Sequence, residues 1–178
     1  MSDIDWKTPC WNVVAPPGGP GACVLTWCCP CITYGINLSK LGSAPQSANV
    51  FCAGQFTPAC CLYCAAATVG LPCLIHIPTR QYIRTKYNIK EPAHGGLEDF
   101  LCTWCCSCCV IIQEYNEIVG HDGDKAGSVF SDLKKAGDTA AEDAKKGVGA
   151  AKDAVKSDKK EEKKEEKKEE KKEEKAEK

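Results

Sequence analysis

The chain has 178 residues, enough for one domain and a tail, and carries 15 cysteines and a formal net charge of −1. Every cysteine lies between Cys10 and Cys109, whereas 17 of the 23 Lys+Arg and 17 of the 24 Asp+Glu fall beyond residue 119, so composition divides the chain there. No strongly basic patch is present, and direct nucleic-acid binding is not expected.

Residues 1–22 hold Pro9 and the run Pro16-Pro17-Gly18-Gly19-Pro20-Gly21, which reads as a flexible or extended lead-in. The first residues are acidic and polar with no apolar stretch behind them, so a secretory signal is not expected and the thiols are expected to stay reduced. An odd cysteine count also fits poorly with a closed disulfide framework, although a single disulfide stays possible.

The cysteine-rich domain is placed at 23–119. It opens with Cys23, Cys28, Cys29 and Cys31, the last three flanking Pro30, which biases Cys29 away from helix and bends neighbouring thiols toward one point. A short helix is expected to follow to about Leu41, stopped by Gly42, Ser43 and Pro45. Ala59–Ile77 is nineteen residues without formal charge, close to a bilayer-crossing length, though Gly70 and Pro72 interrupt it. Arg80, Arg84 and Lys86 follow as a cationic cytosolic flank. Membrane contact is favoured over a buried core helix. Cys60, Cys61 and Cys64 take helical spacing within it and would line a path.

Cys102–Glu117 is the most informative stretch, with five cysteines in sixteen residues. On a continuous helix starting near Glu98 and Asp99 and ending before Gly120, Cys102, Cys105, Cys106 and Cys109 share one face, which Gln113 and Glu117 continue. Such a stripe of thiols with oxygens at one end suits a soft cation such as Zn²⁺ or Cd²⁺. Packing of cysteine as a small hydrophobe is the competing reading. Phe100–Ile112 is too short to span alone and suits a re-entrant or packed helix. The tail divides into a weak amphipathic helix over 120–157 and a Lys/Glu low-complexity segment over 158–178. The like charges of that segment recur at i and i+4, which favours a solvated, poorly ordered chain over a coiled coil.

Enzymatic signals are weak. Cys102-x-x-Cys105 and Cys61-x-x-Cys64 have redox spacing without a thioredoxin-like pattern, His76, His94 and His121 are scattered, and Asp99, Glu114 and Glu117 read as helix-surface charges. A non-enzymatic protein is expected, with no cofactor required.

Trp27-Cys28-Cys29-Pro30-Cys31-Ile32-Thr33-Tyr34-Gly35, the basic segment Arg80–Tyr87 and Asp99–Glu117 together resemble the cornifelin and plant cadmium resistance family, also called the placenta-specific eight domain, over about residues 20–119. With its charged tail the chain looks most like fungal members. The resemblance implies a small, mainly α, cysteine-rich protein, often membrane-associated, linked to cadmium and zinc tolerance and to control of cell number, and able to self-associate. It implies a place at the cytosolic side of the plasma membrane, with cytoplasm or nucleus as the alternative. By position Cys28, Cys29, Cys31, Cys106 and Cys109 occupy motif cysteines, while Thr103 and Ile112 stand where many plant members have histidine and cysteine. The full expected ligand set is Cys23, Cys28, Cys29, Cys31, Cys102, Cys105, Cys106 and Cys109, acting by metal binding or by transport through an oligomer. The alternative is an adaptor whose cysteines are structural and whose effect on tolerance runs through a protein partner.

Overall fold

The structure is a computed structural model and describes residues 4–91, 96–121 and 129–145. The fold is mainly α, as expected. Helices α1 (Gly19–Cys28), α2 (Pro30–Leu41), α3 (Phe56–Thr68), α4 (Pro72–Tyr87), α5 (Gly96–Cys105) and α6 (Ser107–His121) follow one another, with a short 3₁₀ turn at Gln46–Ala48. Among the described residues extended pairing is limited to an isolated parallel bridge, Ile4 with Ile89. Residues 129–139 are helical as well. The chain divides into two units, Met1–Thr139 and Ala140–Lys178. Of the second, only 140–145 are described, and they are helical.

Proline and glycine set most of the boundaries. Pro20, Pro30 and Pro72 stand in the first turns of α1, α2 and α4, where a missing N–H costs no helical hydrogen bond. Gly42 and Gly70, at φ +70 and +75, follow α2 and α3 in backbone that other residues rarely adopt. The uncharged run Ala59–Ile77 is therefore two helices with a turn at Gly70. No single described helix is long and apolar enough to cross a membrane.

Helix α6 is the axis of the unit. Every residue from Val110 to Val119 is buried. Ala22, Ile36, Tyr115 and Val119 form one apolar cluster, which Val129 and Ala136 join. Tyr34, Leu38, Ala59, Tyr63 and Ile111 form a second, and Leu41, Ile83, Ile89 and Ile118 a third. Residues 129–139 thus pack into the same core as α1 and α6, and the change in composition at residue 119 is not the packing boundary. Lys40 and Tyr115 reinforce this by meeting Asp132, at 3.1 and 2.8 Å.

The amino-terminal segment is ordered as well. Ala15 is buried, and helix α1 begins at Gly19, inside the expected lead-in. The N–H of Gly18 donates to Asn116 Oδ1 at 2.8 Å, and a Cβ on Gly18 would lie 2.8 Å from both that oxygen and Ala22. Glycine lets this loop reach α6. Of the predicted 120–157 helix, Gly120 and His121 belong to the end of α6, and residues 122–128 and 146–157, with the Lys/Glu segment 158–178, lie outside the described residues.

Candidate functional site

Helix α6 is buried on every side yet carries Gln113, Glu114, Asn116 and Glu117 in its middle. Such groups lose hydration on burial and need partners. Glu114 Oε2 pairs with His76 Nε2 at 2.9 Å, and both side chains are 0% exposed. Asp99, from the first turn of α5, accepts from Arg80 Nε at 2.6 Å and from Arg84 Nη2 and Nε at 2.8 and 3.0 Å. Arg80 Nη2 donates to Gln113 Oε1 at 2.9 Å, and Gln113 Nε2 donates to the carbonyl of Thr8 at 2.8 Å. Glu117 accepts from the N–H of Lys7 and pairs with His121, each at 2.8 Å. Trp6 lies under Arg80, whose guanidinium carbon is 4.3 Å from the ring centroid. Burial alone would push the Asp99 carboxyl up, but the hydrogen bonds and charges of Arg84 and Arg80 outweigh it and hold the carboxyl below its ordinary value.

This network corrects three expectations. Asp99, Glu114 and Glu117 are interior groups and not helix-surface charges. Gln113 and Glu117 are engaged inside the fold and do not extend a thiol stripe as free oxygen ligands. Arg80 and Arg84 are buried, and Lys86 Nζ donates to the carbonyl of Leu41 at 2.8 Å, so the basic segment locks α4 in place and is no free cationic flank. The sequence signal for this was the crowding of charged and amide residues into a stretch that is otherwise apolar on all helical faces.

The thiol stripe also divides. Between α5 and α6 the chain turns by 114° at Cys106, so Cys102 and Cys105 lie on one helix and Cys109 on another. Cys106 and Cys109 are joined in a disulfide, a bridge between close neighbours that closes no long loop. Thr103 and Ile112 are both interior, and the Thr103 hydroxyl donates to the Asp99 carbonyl.

Of the 13 free cysteines, Cys73 is the buried one; Cys28, Cys61, Cys64 and Cys105 are exposed, and Cys10, Cys23, Cys29, Cys31, Cys52, Cys60, Cys102 and Cys108 are intermediate. The core is built from aliphatic and aromatic side chains. Cys73 is buried with it and Cys31 and Cys52 pack against it, but the other free thiols lie around it, which a packing role does not explain, because free cysteine is ordinarily among the most buried residues.

Several thiols act on one another electrostatically across helix boundaries: Cys31 on α2 with Cys60 on α3, Cys64 on both, Cys29 on Cys31, Cys10 on Cys102 and Cys23 on Cys108. Burial, helped by the neighbouring thiols Cys31, Cys61 and Cys64, pushes the Cys60 thiol up to about 12. Burial likewise raises Cys31, Cys102 and Cys108. Among the described residues no three His, Cys, Asp or Glu side chains are already arranged to hold an ion together. The expected Cys23–Cys31 group is spread over α1, the α1–α2 bend and the start of α2. The partners of its members lie on α3 and α6, which one-dimensional spacing does not reveal.

Residues 6–117 match the PLAC8 family. Similar proteins include Cell number regulator 5 of Zea mays, 33% identical over 107 residues, covering 56% of each chain. Cell number regulator 1 of Zea mays is 30% identical over 115 residues, 64% of this chain and 52% of the relative. Protein PLANT CADMIUM RESISTANCE 10 of Arabidopsis thaliana is 32% identical over 123 residues, 65% of this chain and 62% of the relative. The chain thus spans about half to three fifths of the length of these curated relatives. No solved structure matches. The match takes in every cysteine, the Trp27–Gly35 segment and α6 through Glu117, the framework just described, and the chain belongs to the PLAC8 family.

Proposed function

We propose that this chain confers tolerance to soft heavy-metal cations, of the cadmium or zinc class, by binding them through cysteine thiolates at a membrane surface, without catalysing a reaction. The observation that carries the reading is the placement of sulfur. Twelve of the 13 free cysteines reach solvent at least in part, around a core that only Cys31 and Cys52 among them pack against. Thiolates favour soft cations over Mg²⁺ or Ca²⁺. Relatives named for cadmium resistance in Arabidopsis thaliana agree with this class of cargo. Because the thiols are not gathered in threes, a tetrahedral cation would need helix movement, or ligands from a second copy, to complete its shell. Self-association is therefore part of the proposal.

Membrane association rests on apolar side chains left outside the core. Trp27 at the end of α1 is 79% exposed and Trp104 near the end of α5 is 67% exposed, with Val24, Leu97 and Leu101 also exposed. The pairs α1–α2 and α5–α6 have the length and composition to enter a bilayer but are sharply bent, at 120° and 114°; because α2 and α6 are core helices, α1 and α5 are the members that would lie in one leaflet. The same exposed tryptophans would suit a protein partner, which keeps the adaptor reading as the second possibility.

The test is elemental analysis of protein purified under reducing conditions, paired with cadmium survival of cells expressing Cys28/Cys29/Cys31→Ser. Bound metal and lost protection in the variant support the reading; metal-free protein with full protection in the variant overturns it. Truncation after residue 145 keeps the core helix and separates the alternative, since direct binding survives it and an adaptor acting through the Lys/Glu segment does not.

A further inference from the structure

We infer that the Cys106–Cys109 disulfide is a reversible thiol–disulfide exchange site, opened by monothiols of the glutathione class through attack at Cys106. The inference begins with a repeat. Thr26-Trp27-Cys28-Cys29-Pro30-Cys31 and Thr103-Trp104-Cys105-Cys106-Ser107-Cys108 share the pattern Thr-Trp-Cys-Cys-x-Cys. Each forms an elbow between two helices, α1–α2 at 120° and α5–α6 at 114°. Both elbows are built alike. The threonines are buried, and their hydroxyls donate one turn back, Thr26 to the Ala22 carbonyl and Thr103 to the Asp99 carbonyl, each at 2.7 Å. The tryptophans are exposed. The N–H of Cys29 donates to the Leu25 carbonyl at 2.8 Å, and that of Cys106 to the Cys102 carbonyl at 3.0 Å. The carbonyls of Cys29 and Cys106 accept from the helix that follows, from Ile32 at 3.1 Å and from Val110 at 3.3 Å.

The copies differ three residues past the elbow cysteine, where the first has Ile32 and the second has Cys109. Only the second can bond its elbow cysteine to that position, and it does, with Cα atoms 5.4 Å apart. The first elbow shows that the turn needs no such bond. Cys28, Cys29 and Cys31 are free, yet the chain bends as sharply there. A bridge between residues three apart also removes less freedom from the unfolded chain than one closing a long loop. Neither the turn nor chain entropy accounts for the disulfide, which leaves its chemistry.

Cys106 is exposed, while Cys109 is half-buried in the first turn of α6. Exposed disulfides are the readily reduced ones. An incoming thiolate attacks the Cys106 sulfur; a new S–S bond forms to it, the Cys106–Cys109 bond breaks, and Cys109 leaves as a thiolate. The N–H groups of the first turn of α6, which lack helical acceptors, favour that negative charge before Cys109 takes a proton. A second monothiolate attacks the monothiol sulfur of the mixed disulfide and releases Cys106, which is protonated in turn. Two monothiols become one disulfide, and two electrons and two protons pass to the protein. Closed, the bond takes Cys106 and Cys109 out of the expected ligand set, and open it returns them. That consequence rests on the proposed metal-binding role; the exchange does not.

The test uses the full chain, free of metal, in anaerobic buffers of reduced and oxidised glutathione at neutral pH. Acid quenching, alkylation and peptide mapping read whether the bond is open, and circular dichroism reads helicity. The open fraction is expected to run from about a tenth to about nine tenths over about an eightyfold change in squared reduced over oxidised glutathione, as a two-electron couple requires. Helicity is expected to stay unchanged. Cys109→Ser is expected to collect glutathione at Cys106. A bond that stays closed in reduced glutathione until urea is added, that does not form in the oxidised buffers, or whose opening costs helicity overturns the inference. Glutathione collecting elsewhere in a folded Cys109→Ser chain overturns the role of Cys106. The unsubstituted chain decides the matter even where the variant fails to fold. A parallel Cd²⁺ titration keeps the two proposals apart. Exchange without cadmium binding ends the broader reading alone, and cadmium binding beside a fixed bond ends this inference alone.

Discussion

The Asp99 carboxylate and the Arg80 guanidinium meet at 2.6 Å inside the protein, where Asp99 is 2% exposed. Arg84 shares the same carboxylate, so one acid on α5 bridges two bases on α4, and Glu114 on α6 lies 3.5 Å from Arg80 as a second acid. Removing one partner of a buried pair strands the others without hydration. Asp99→Ala is expected to lower stability by about 3–5 kcal/mol. Urea unfolding followed by circular dichroism measures it; a loss below about 1 kcal/mol would show that Asp99 is not holding α4 and α5 together.

The same carboxylate sets an acid limit. Asp99 is held below its ordinary value by Arg84 and Arg80 in the folded state. A lowered folded pKa contributes stability that is present above the unfolded carboxylate pKa, about 3.9, and is lost as pH falls through the folded value. Unfolding free energy is expected to drop steeply below about pH 4, and Asp99→Asn to flatten that slope while lowering stability at neutral pH. Titration of both proteins with urea from neutral to acid pH reads the difference in slope.

How much of this was legible in the sequence follows from how far each signal reaches. The end of α2 at Leu41, the interruption at Gly70 and Pro72, and the acidic first turn of α5 were readable because Gly, Pro and Asp act on their immediate neighbours. The bend at Cys106 was not, since no glycine or proline marks it. Nor were the partners of Asp99 and Glu114: Arg84, Arg80 and His76 lie 15, 19 and 38 residues away, beyond any local pattern, although the crowding of polar residues into an apolar stretch of α6 hinted that they were interior. For the thiols, spacing suggested one shared helical face, while packing distributes them around the unit.

Reactivity should separate two adjacent cysteines. Burial keeps the Cys60 thiol protonated, pushed up to about 12, whereas Cys61 is exposed. The thiolate is the nucleophile. At pH 8 iodoacetamide is expected to label Cys61 well before Cys60, with the Cys60 rate climbing only in strong alkali. Timed alkylation with peptide mass mapping checks this, and equal rates at pH 8 would contradict it.

Membrane affinity should depend on the exposed indoles. Replacing Trp27 or Trp104 by Ser removes a large apolar group that the fold leaves uncovered. Each substitution is expected to weaken binding to phospholipid vesicles by about tenfold. Helicity should be unchanged, because neither side chain belongs to the core clusters. Co-sedimentation and circular dichroism measure the two quantities.

With cohesion supplied by buried ion pairs and hydrocarbon, and most of the sulfur stationed around that core, the proposed metal binding would be uncoupled from shape in this molecule. A copy stripped by a chelator would then keep its framework and stand ready to be reloaded, whereas one whose thiols have been capped would keep the framework and lose its ligands. That sets it apart from small zinc domains, whose chain collapses when the ion leaves.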